Sequence, residues 1–212
     1  MYVKLKTVHK TLKSYDDESL TEADRLSKEI ALYLLDFAKD AEQYRYHNYP
    51  VNQLFGIQNG YPSFMEAQHQ VNSVADAENY LARLEKVKHK FSQELEGIRL
   101  REEKGIIPPA FVIERVLDEM NNFVEQPVQE NILYSALAKK MSDSENFSAD
   151  EQQQLLAKAK SNIVTFVHPA YQLLIDYFTQ LQAKATDDDG FWRLPDGDKA
   201  YASALQFFTT TD

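Results

Sequence analysis

The chain has 212 residues, of which 33 are acidic and 23 are Lys or Arg, so its formal net charge is -10. A nucleic-acid partner needs clustered Lys and Arg to contact phosphates, and this charge argues against one. The sequence has no Cys, which excludes a disulfide framework, a thiol nucleophile and a thiolate metal site. No apolar run reaches the roughly 20 residues of a transmembrane helix, so no membrane span is predicted.

The first strong signal in chain order is a capping box at Thr21, with a carboxylate three residues later at Asp24. Apolar residues then recur every three or four positions and predict an amphipathic helix of about 25 residues. They are Leu26, Ile30, Leu34, Phe37, Ala41 and Tyr44. A second box at Ser73 opens a longer helix, which we expect Gly105 to end and Pro108 to prevent from continuing.

Further helices are predicted in the second half of the chain. Pro109 suits the first turn of one helix, and a short helix follows around Leu133. A capping box at Ser148 opens the next. Pro169 is expected to kink or break it, because proline has no N–H for the backbone ladder. Helicity then resumes, and a last helix is predicted from about residue 198 to residue 208.

Two segments, residues 47–63 and 187–197, lack a helical period and contain turn-forming residues, so both are predicted to be ordered loops. Only 6 Gly and 7 Pro leave few places for hairpin turns, which favours long regular elements. The predicted fold class is all-α, a bundle of about six to eight amphipathic helices with two ordered loops. No flexible linker interrupts the pattern, so residues 1–212 are predicted to form a single helical domain.

The sequence predicts no catalytic residue and no metal site. The five His residues are at least 20 positions apart, so no pair can bind zinc from one helical turn. In the acidic loop that starts at Asp187, Phe191 and Trp192 occupy the positions where a calcium-binding loop needs an oxygen ligand and a glycine. We interpret this loop as a solvated turn, and we expect no cofactor in this chain.

Aromatic residues in the loops favour two interpretations. These residues are Tyr49, Phe55, Tyr61 and Trp192. In one interpretation they pack the loops onto the helices, and in the other they contact a peptide or a protein partner. The first interpretation is the more common situation, because aromatic side chains are usually buried in a core.

Three stretches resemble a known bacterial family. They are Gly105–Val116 (Gly-Ile-Ile-Pro-Pro-Ala-Phe-Val-Ile-Glu-Arg-Val), Val167–Tyr171 and Gly190–Gly197, followed by Tyr201 and Thr209–Asp212. Their order and spacing resemble the family called domain of unknown function 885, over most of the chain from about residue 20 to the end. Members of that family are typically longer, mostly helical, and often exported or lipid-anchored.

The resemblance implies a parent protein related to zinc-dependent peptidases. The carboxyl-terminal half of such a parent carries a His-Glu-x-x-x-Gly-His type motif, in which two His bind the metal and the Glu activates a water. That motif is absent from this sequence, so zinc is expected only in the full-length parent. We expect the chain to be the amino-terminal part of a two-part protein, with the missing carboxyl-terminal half as its partner. Export to the periplasm or cell envelope is implied by the resemblance alone.

Two functions remain open. In the first, the chain is the scaffold or substrate groove of a metallopeptidase-like hydrolase that acts on a peptide. The candidates to line the groove are then Asn52, Gln53, Tyr201 and Thr210. They are polar or aromatic residues in or beside the non-helical segments. Alternatively, the chain is a free-standing helical protein-interaction module without enzymatic activity. In neither case does the chain supply catalytic residues.

The last predicted helix is apolar on more than one side. A surface helix normally has a single apolar stripe. One stripe cannot contain all the large apolar residues of this helix, which are Tyr201, Leu205, Phe207 and Phe208. We therefore expect Phe207 or Phe208 to face the missing half. In the isolated chain the exposed patch is expected either to cause self-association or to leave this region partly disordered. Thr209–Asp212 is typical of the N-cap region of a following helix.

Overall fold

The computed structural model describes residues 2–209, and these residues contain nine α-helices and no β-strand. The all-α prediction is confirmed. The helices are α1 (Tyr2–Lys13), α2 (Glu22–Asp40), α3 (Ile57–Ala67), α4 (Val74–Glu103), α5 (Ala110–Glu125), α6 (Ile132–Ser142), α7 (Ala149–Asn162), α8 (His168–Gln182) and α9 (Gly197–Thr209). Helix α1 was not predicted, because its frequent lysines obscure the apolar period.

The predicted caps are present. The Thr21 hydroxyl accepts the Asp24 N–H at 3.2 Å, and the Ser73 hydroxyl accepts the Asp76 N–H at the same distance. At Ser148 the capping box is complete, because its hydroxyl accepts the backbone N–H of the Glu at the third helical position and that carboxylate accepts the Ser148 N–H. Gly105 has a φ of 74°, the left-handed conformation that ends a helix, and α4 stops two residues before it.

The chain divides into two compact units. Unit 1 comprises Met1–Asn48 and Gly190–Asp212, and unit 2 comprises Tyr49–Asp189. Helices α1, α2 and α9 belong to unit 1, and α3 to α8 belong to unit 2. That all of them form a single domain stays a prediction, since two compact units can belong to one domain or to two.

The core of unit 2 is built around α4, the longest helix. One face of α4 is buried along its whole length because apolar residues recur every three or four positions. This face packs against α7, α8 and the segment between them, and α5 packs on α8. The buried residues on α4 are Ala77, Tyr80, Leu81, Leu84, Val87, Phe91, Leu95 and Ile98.

Helix α3 corrects the prediction of a non-helical segment over residues 47–63, because it begins at Ile57 and continues through Pro62. Proline has no N–H, so the Gln58 carbonyl one turn earlier loses its helical partner. The buried Tyr171 hydroxyl of α8 donates to this carbonyl instead. A side chain that lies 113 positions away in the sequence therefore makes a proline acceptable inside α3.

The chain passes Pro169 without a break, so of the two predicted outcomes, a kink or a break, the structure excludes the break. Residues Ile163–Val167 form a π-helical turn between α7 and α8, in which the His168 N–H bonds to the Ile163 carbonyl. The wider turn accommodates the proline while the helical path continues. In the second predicted loop, Phe191–Arg193 form a 3-10 turn and α9 starts at Gly197.

In unit 1, α1 and α2 pack against each other as a hairpin, and little of either helix is buried. His9 is the one buried residue of α1 and Phe37 is the one buried residue of α2. The apolar stripe predicted for α2 is therefore mostly on the surface. Leu26, Ile30 and Leu34 are each more than half exposed.

Candidate functional site

The polar residues predicted in the first loop form a tight turn in unit 2. The Asn52 side-chain oxygen accepts the N–H groups of Leu54 and Phe55, both at 2.9 Å, and its side-chain nitrogen donates to the Tyr49 carbonyl at 2.9 Å. The Asn52 N–H also donates to the Phe55 carbonyl. Asparagine commonly stabilises turns through such local bonds. The Asn52 amide therefore holds the backbone of this loop.

Gln58 anchors the turn to the interior of unit 2. Its buried side-chain nitrogen donates to the Asn52 carbonyl at 2.9 Å and lies 3.4 Å from a carboxylate oxygen of Glu119 on α5. A Cβ atom on Gly56 would lie 2.0 Å from the Gln58 side-chain oxygen, so only glycine allows this approach. Burial raises the pKa of Glu119, and the hydrogen bond from Gln58 partly opposes that shift.

The anchored turn displays three side chains, Gln53, Leu54 and Phe55. All three are exposed, Leu54 by 67% and Phe55 by 74%. Because hydrogen bonds already fix the backbone of this turn, little backbone freedom is lost on binding, which suits a contact with a partner. The exposure of Phe55 excludes the interpretation in which its ring packs onto the helices. Tyr61 behaves differently, because its ring packs edge-on to Phe91 within the core region.

The other candidates belong to unit 1. Tyr201 on α9 is more than half exposed, and its ring centroid lies 6.4 Å from that of Phe191. His47 Nε2 donates to the Pro195 carbonyl at 2.7 Å, which ties residues 47 and 195 together. Trp192 is 65% exposed. Thr210 lies outside the described residues.

Of the four predicted groove residues, Asn52 and Gln53 lie in one turn of unit 2, whereas Tyr201 is in unit 1. That they line one substrate groove stays a prediction. The structure gives Asn52 a clear local role in the turn and leaves Gln53 and Tyr201 exposed.

Unit 1 carries a large exposed apolar surface, which we call the hairpin face. Rings connect its α2 part to its α9 part, because Phe37 contacts both Tyr33 and Phe207, and Phe207 contacts Phe208. Phe208 is 81% exposed. A groove of about 460 Å³ lies beside these rings. The hairpin face comprises Leu26, Ile30, Tyr33, Leu34, Phe207 and Phe208.

Surface of this kind usually marks an interaction site, since soluble proteins rarely expose contiguous apolar patches. For the α9 part of the hairpin face, the exposure of Phe207 or Phe208 was predicted from the sequence. The α2 part was not, because a periodic apolar stripe does not reveal whether another element covers it.

Within residues 2–209, no three His, Asp or Glu side chains are grouped so that they could hold a metal ion. His9 Nε2 lies 2.8 Å from an Asp36 carboxylate oxygen, and His69 Nε2 lies 3.2 Å from the Asp76 carbonyl. Over the same part of the chain, no helix is both long and apolar enough to cross a membrane.

Comparison with known proteins identifies the family. The model of the bacterial proteins of unknown function DUF885 matches residues 3–212. The chain belongs to the DUF885 family. A search of curated proteins finds no match. Among solved structures, the DUF885 chain is similar to a protein from Colwellia psychrerythraea that is titled a "putative lipoprotein", with a TM-score of 0.84 and 15% sequence identity. At that identity the likeness shows the fold alone. The match covers 99% of this chain and 37% of the Colwellia chain.

Proposed function

We propose that this chain is the helical, non-metal part of a longer DUF885 protein and that the hairpin face packs against the remaining part of that protein. The exposure of the hairpin face carries the proposal. Burial of apolar surface is the main favourable term in association, and six large apolar side chains on α2 and α9 are exposed. The length of the Colwellia protein supports it, because this chain spans 37% of that structure.

The proposal extends to chemistry through the family resemblance. We infer that the longer protein is a metallopeptidase-like hydrolase acting on a peptide, with zinc bound by its remaining part. This chain then contributes scaffold, and the turn at residues 52–55 contributes to the substrate groove. An exported protein of the periplasm or cell envelope is the location that the resemblance implies.

The docking step is tested by charge insertion into the hairpin face. In the isolated chain, Ile30→Arg and Leu34→Arg are expected to leave the helical circular dichroism and the melting temperature nearly unchanged, because both residues are exposed. In the protein expressed from the complete native gene, the same changes are expected to lower the melting temperature. An Arg inserted there is a buried, unpaired charge.

Val164→Arg is the matched control, because Val164 is a β-branched residue of unit 2 that is 51% exposed. It should have little effect in either protein. An unchanged full-length protein with Ile30→Arg would contradict the docking step, and so would a native coding sequence that ends at Asp212. Hydrolase function is tested separately, by peptide cleavage that EDTA abolishes in the full-length protein.

A free-standing interaction module is the second candidate function. The exposed turn favours it, because Leu54 and Phe55 are displayed on a backbone fixed by Asn52. This candidate predicts that the native gene encodes no metal-binding motif downstream. It also predicts that Phe55→Ser removes binding of a partner captured by the isolated chain.

A further inference from the structure

Unit 2 contains a polar groove of about 590 Å³ between the carboxyl-terminal end of α3 and the first half of α4. We call it the α3–α4 groove. Its α4 wall has a helical repeat, because Asn79, Arg83 and Lys86 follow one another at four and three positions and share one face. Gln68 and Gln70 line the opposite wall. The groove therefore contains two cations and three side-chain amides.

Among the described ion pairs, none involves Arg83 or Lys86. The nearby acidic residues of α4 are occupied elsewhere, because Glu78 pairs with Lys158 at 2.7 Å and Glu85 accepts the Asn162 amide at 3.1 Å. Positive charge thus collects in this groove of a chain whose net charge is -10.

One carboxylate does line the groove, that of Asp76, and it is engaged in capping. Its Oδ2 accepts the Ser73 hydroxyl at 2.9 Å and the Asn72 N–H at 3.0 Å. Asp76 is seven residues from Arg83, which corresponds to about 10 Å along the helix axis. Its charge therefore acts at one end of the groove and leaves the other end to the cations.

Arg83 has a geometry that suits recognition of an oxyanion. Its guanidinium carbon lies 5.0 Å from the centre of the Phe64 ring on α3, so the ring covers one side of the cation. A guanidinium supported in this way keeps the N–H groups of its edge available for a bidentate contact with a carboxylate or a phosphate. Lysine adds a second, non-directional charge.

The α3 wall of the groove is held in place by partly buried hydrogen bonds. Lys140 of α6 donates to the Met65 carbonyl at 2.8 Å and to the His69 carbonyl at 2.6 Å. His69 is buried, with its Nε2 bonded to the Asp76 carbonyl and its ring edge-on to Tyr80. This fixed backbone places Gln68 and Gln70 in the lining of the groove and lowers the loss of backbone freedom on binding.

We propose that the α3–α4 groove binds an oxyanion, the carboxylate or phosphate group of a small ligand. Arg83 holds two of its oxygens, Lys86 supplies the second positive charge, and the amides of Gln68, Gln70 and Asn79 donate the remaining hydrogen bonds. This site is independent of the hairpin face, since all its residues belong to unit 2.

The test is a nuclear magnetic resonance titration of the isotope-labelled chain at constant ionic strength. Inorganic phosphate and succinate are the two probes, with chloride as the reference salt, so the response distinguishes phosphate from carboxylate ligands. Saturable shifts confined to residues 68–70 and 79–86 are expected for at least one probe. Arg83→Gln and Lys86→Gln should each weaken binding about tenfold, as expected for loss of a charged hydrogen bond.

Lys88→Gln is the matched control, because Lys88 is exposed on α4, outside the groove, and its loss changes the net charge equally. It should leave the affinity unchanged. Linear shifts without saturation for both probes would overturn the proposal, as would equal weakening by Lys88→Gln. The three variants replace exposed side chains, so their spectra are expected to confirm an intact fold.

Discussion

The bond between Tyr171 and the Gln58 carbonyl gives the sharpest test of how this fold is stabilised. Tyr171→Phe removes only the hydroxyl, from a side chain that is 1% exposed. The Gln58 carbonyl then has no partner, since the residue one turn later is Pro62 and offers no N–H. A buried acceptor left unsatisfied costs about 1–3 kcal/mol.

Tyr80→Phe is the matched control for this change. Tyr80 is equally buried, and its hydroxyl donates to the Leu133 carbonyl at 2.9 Å. That carbonyl lies inside α6 and keeps the helical N–H of Leu137, so it remains satisfied when the hydroxyl is removed. We expect Tyr80→Phe to cost only about 0.5–1.5 kcal/mol. The same chemical change should therefore have a smaller effect at residue 80 than at residue 171.

A double-mutant cycle isolates the role of the proline. Pro62→Ala restores an N–H facing Gln58, so Tyr171→Phe should cost about 1 kcal/mol less in that background than in the native chain. Urea unfolding at pH 7 measures all four free energies. For a chain of this size, each kcal/mol corresponds to roughly 2–4 °C in melting temperature. Additive effects of the two changes, or an equal cost of Tyr80→Phe and Tyr171→Phe, would refute the explanation.

Three further predictions concern other contacts. Asn131→Ala should lower the free energy of unfolding by about 2–4 kcal/mol by chemical denaturation, because the buried side chain caps α6 and also donates to the Phe123 carbonyl. Phe208→Ser should leave the melting temperature nearly unchanged and reduce self-association in sedimentation velocity, whereas Phe178→Ser, at a residue 1% exposed, should destabilise by about 3–5 kcal/mol. Glu102→Gln should destabilise the chain at pH 7 and lose this effect as the pH falls. Its hydrogen bonds hold the folded-state pKa below the ordinary value, so the contribution of the carboxylate is present above the unfolded-state pKa and disappears in acid.

The α-helices of unit 2 were largely predictable because their signals are local. Ser73 and Ser148 act on N–H groups three positions away, and Gly105 ends α4 through its own φ angle. The apolar period of α4 likewise identifies its buried face without knowledge of its neighbours. These features depend on residues within one or two helical turns.

The effects of the two prolines were only partly predictable, because they are decided by distant residues or by backbone geometry. Nothing near Pro62 in the sequence indicates that Tyr171 will donate to the Gln58 carbonyl. At Pro169 the chain adopts a π-turn, and the helix continues without a break. Local rules state what a proline removes from the hydrogen-bond ladder, and only the fold determines what replaces it.

The candidate sites likewise combine features that were predictable from the sequence with features that were not. Local sequence signals were enough to place Phe207 and Phe208 on a helix that is apolar on several sides, and Asn52 and Gln53 in a non-helical segment. The exposure of the α2 stripe, and the groove that Arg83 and Lys86 share with the end of α3, became visible only in the folded chain. An amphipathic period shows that a helix has an apolar face, but whether another helix covers that face depends on packing between residues far apart in the chain.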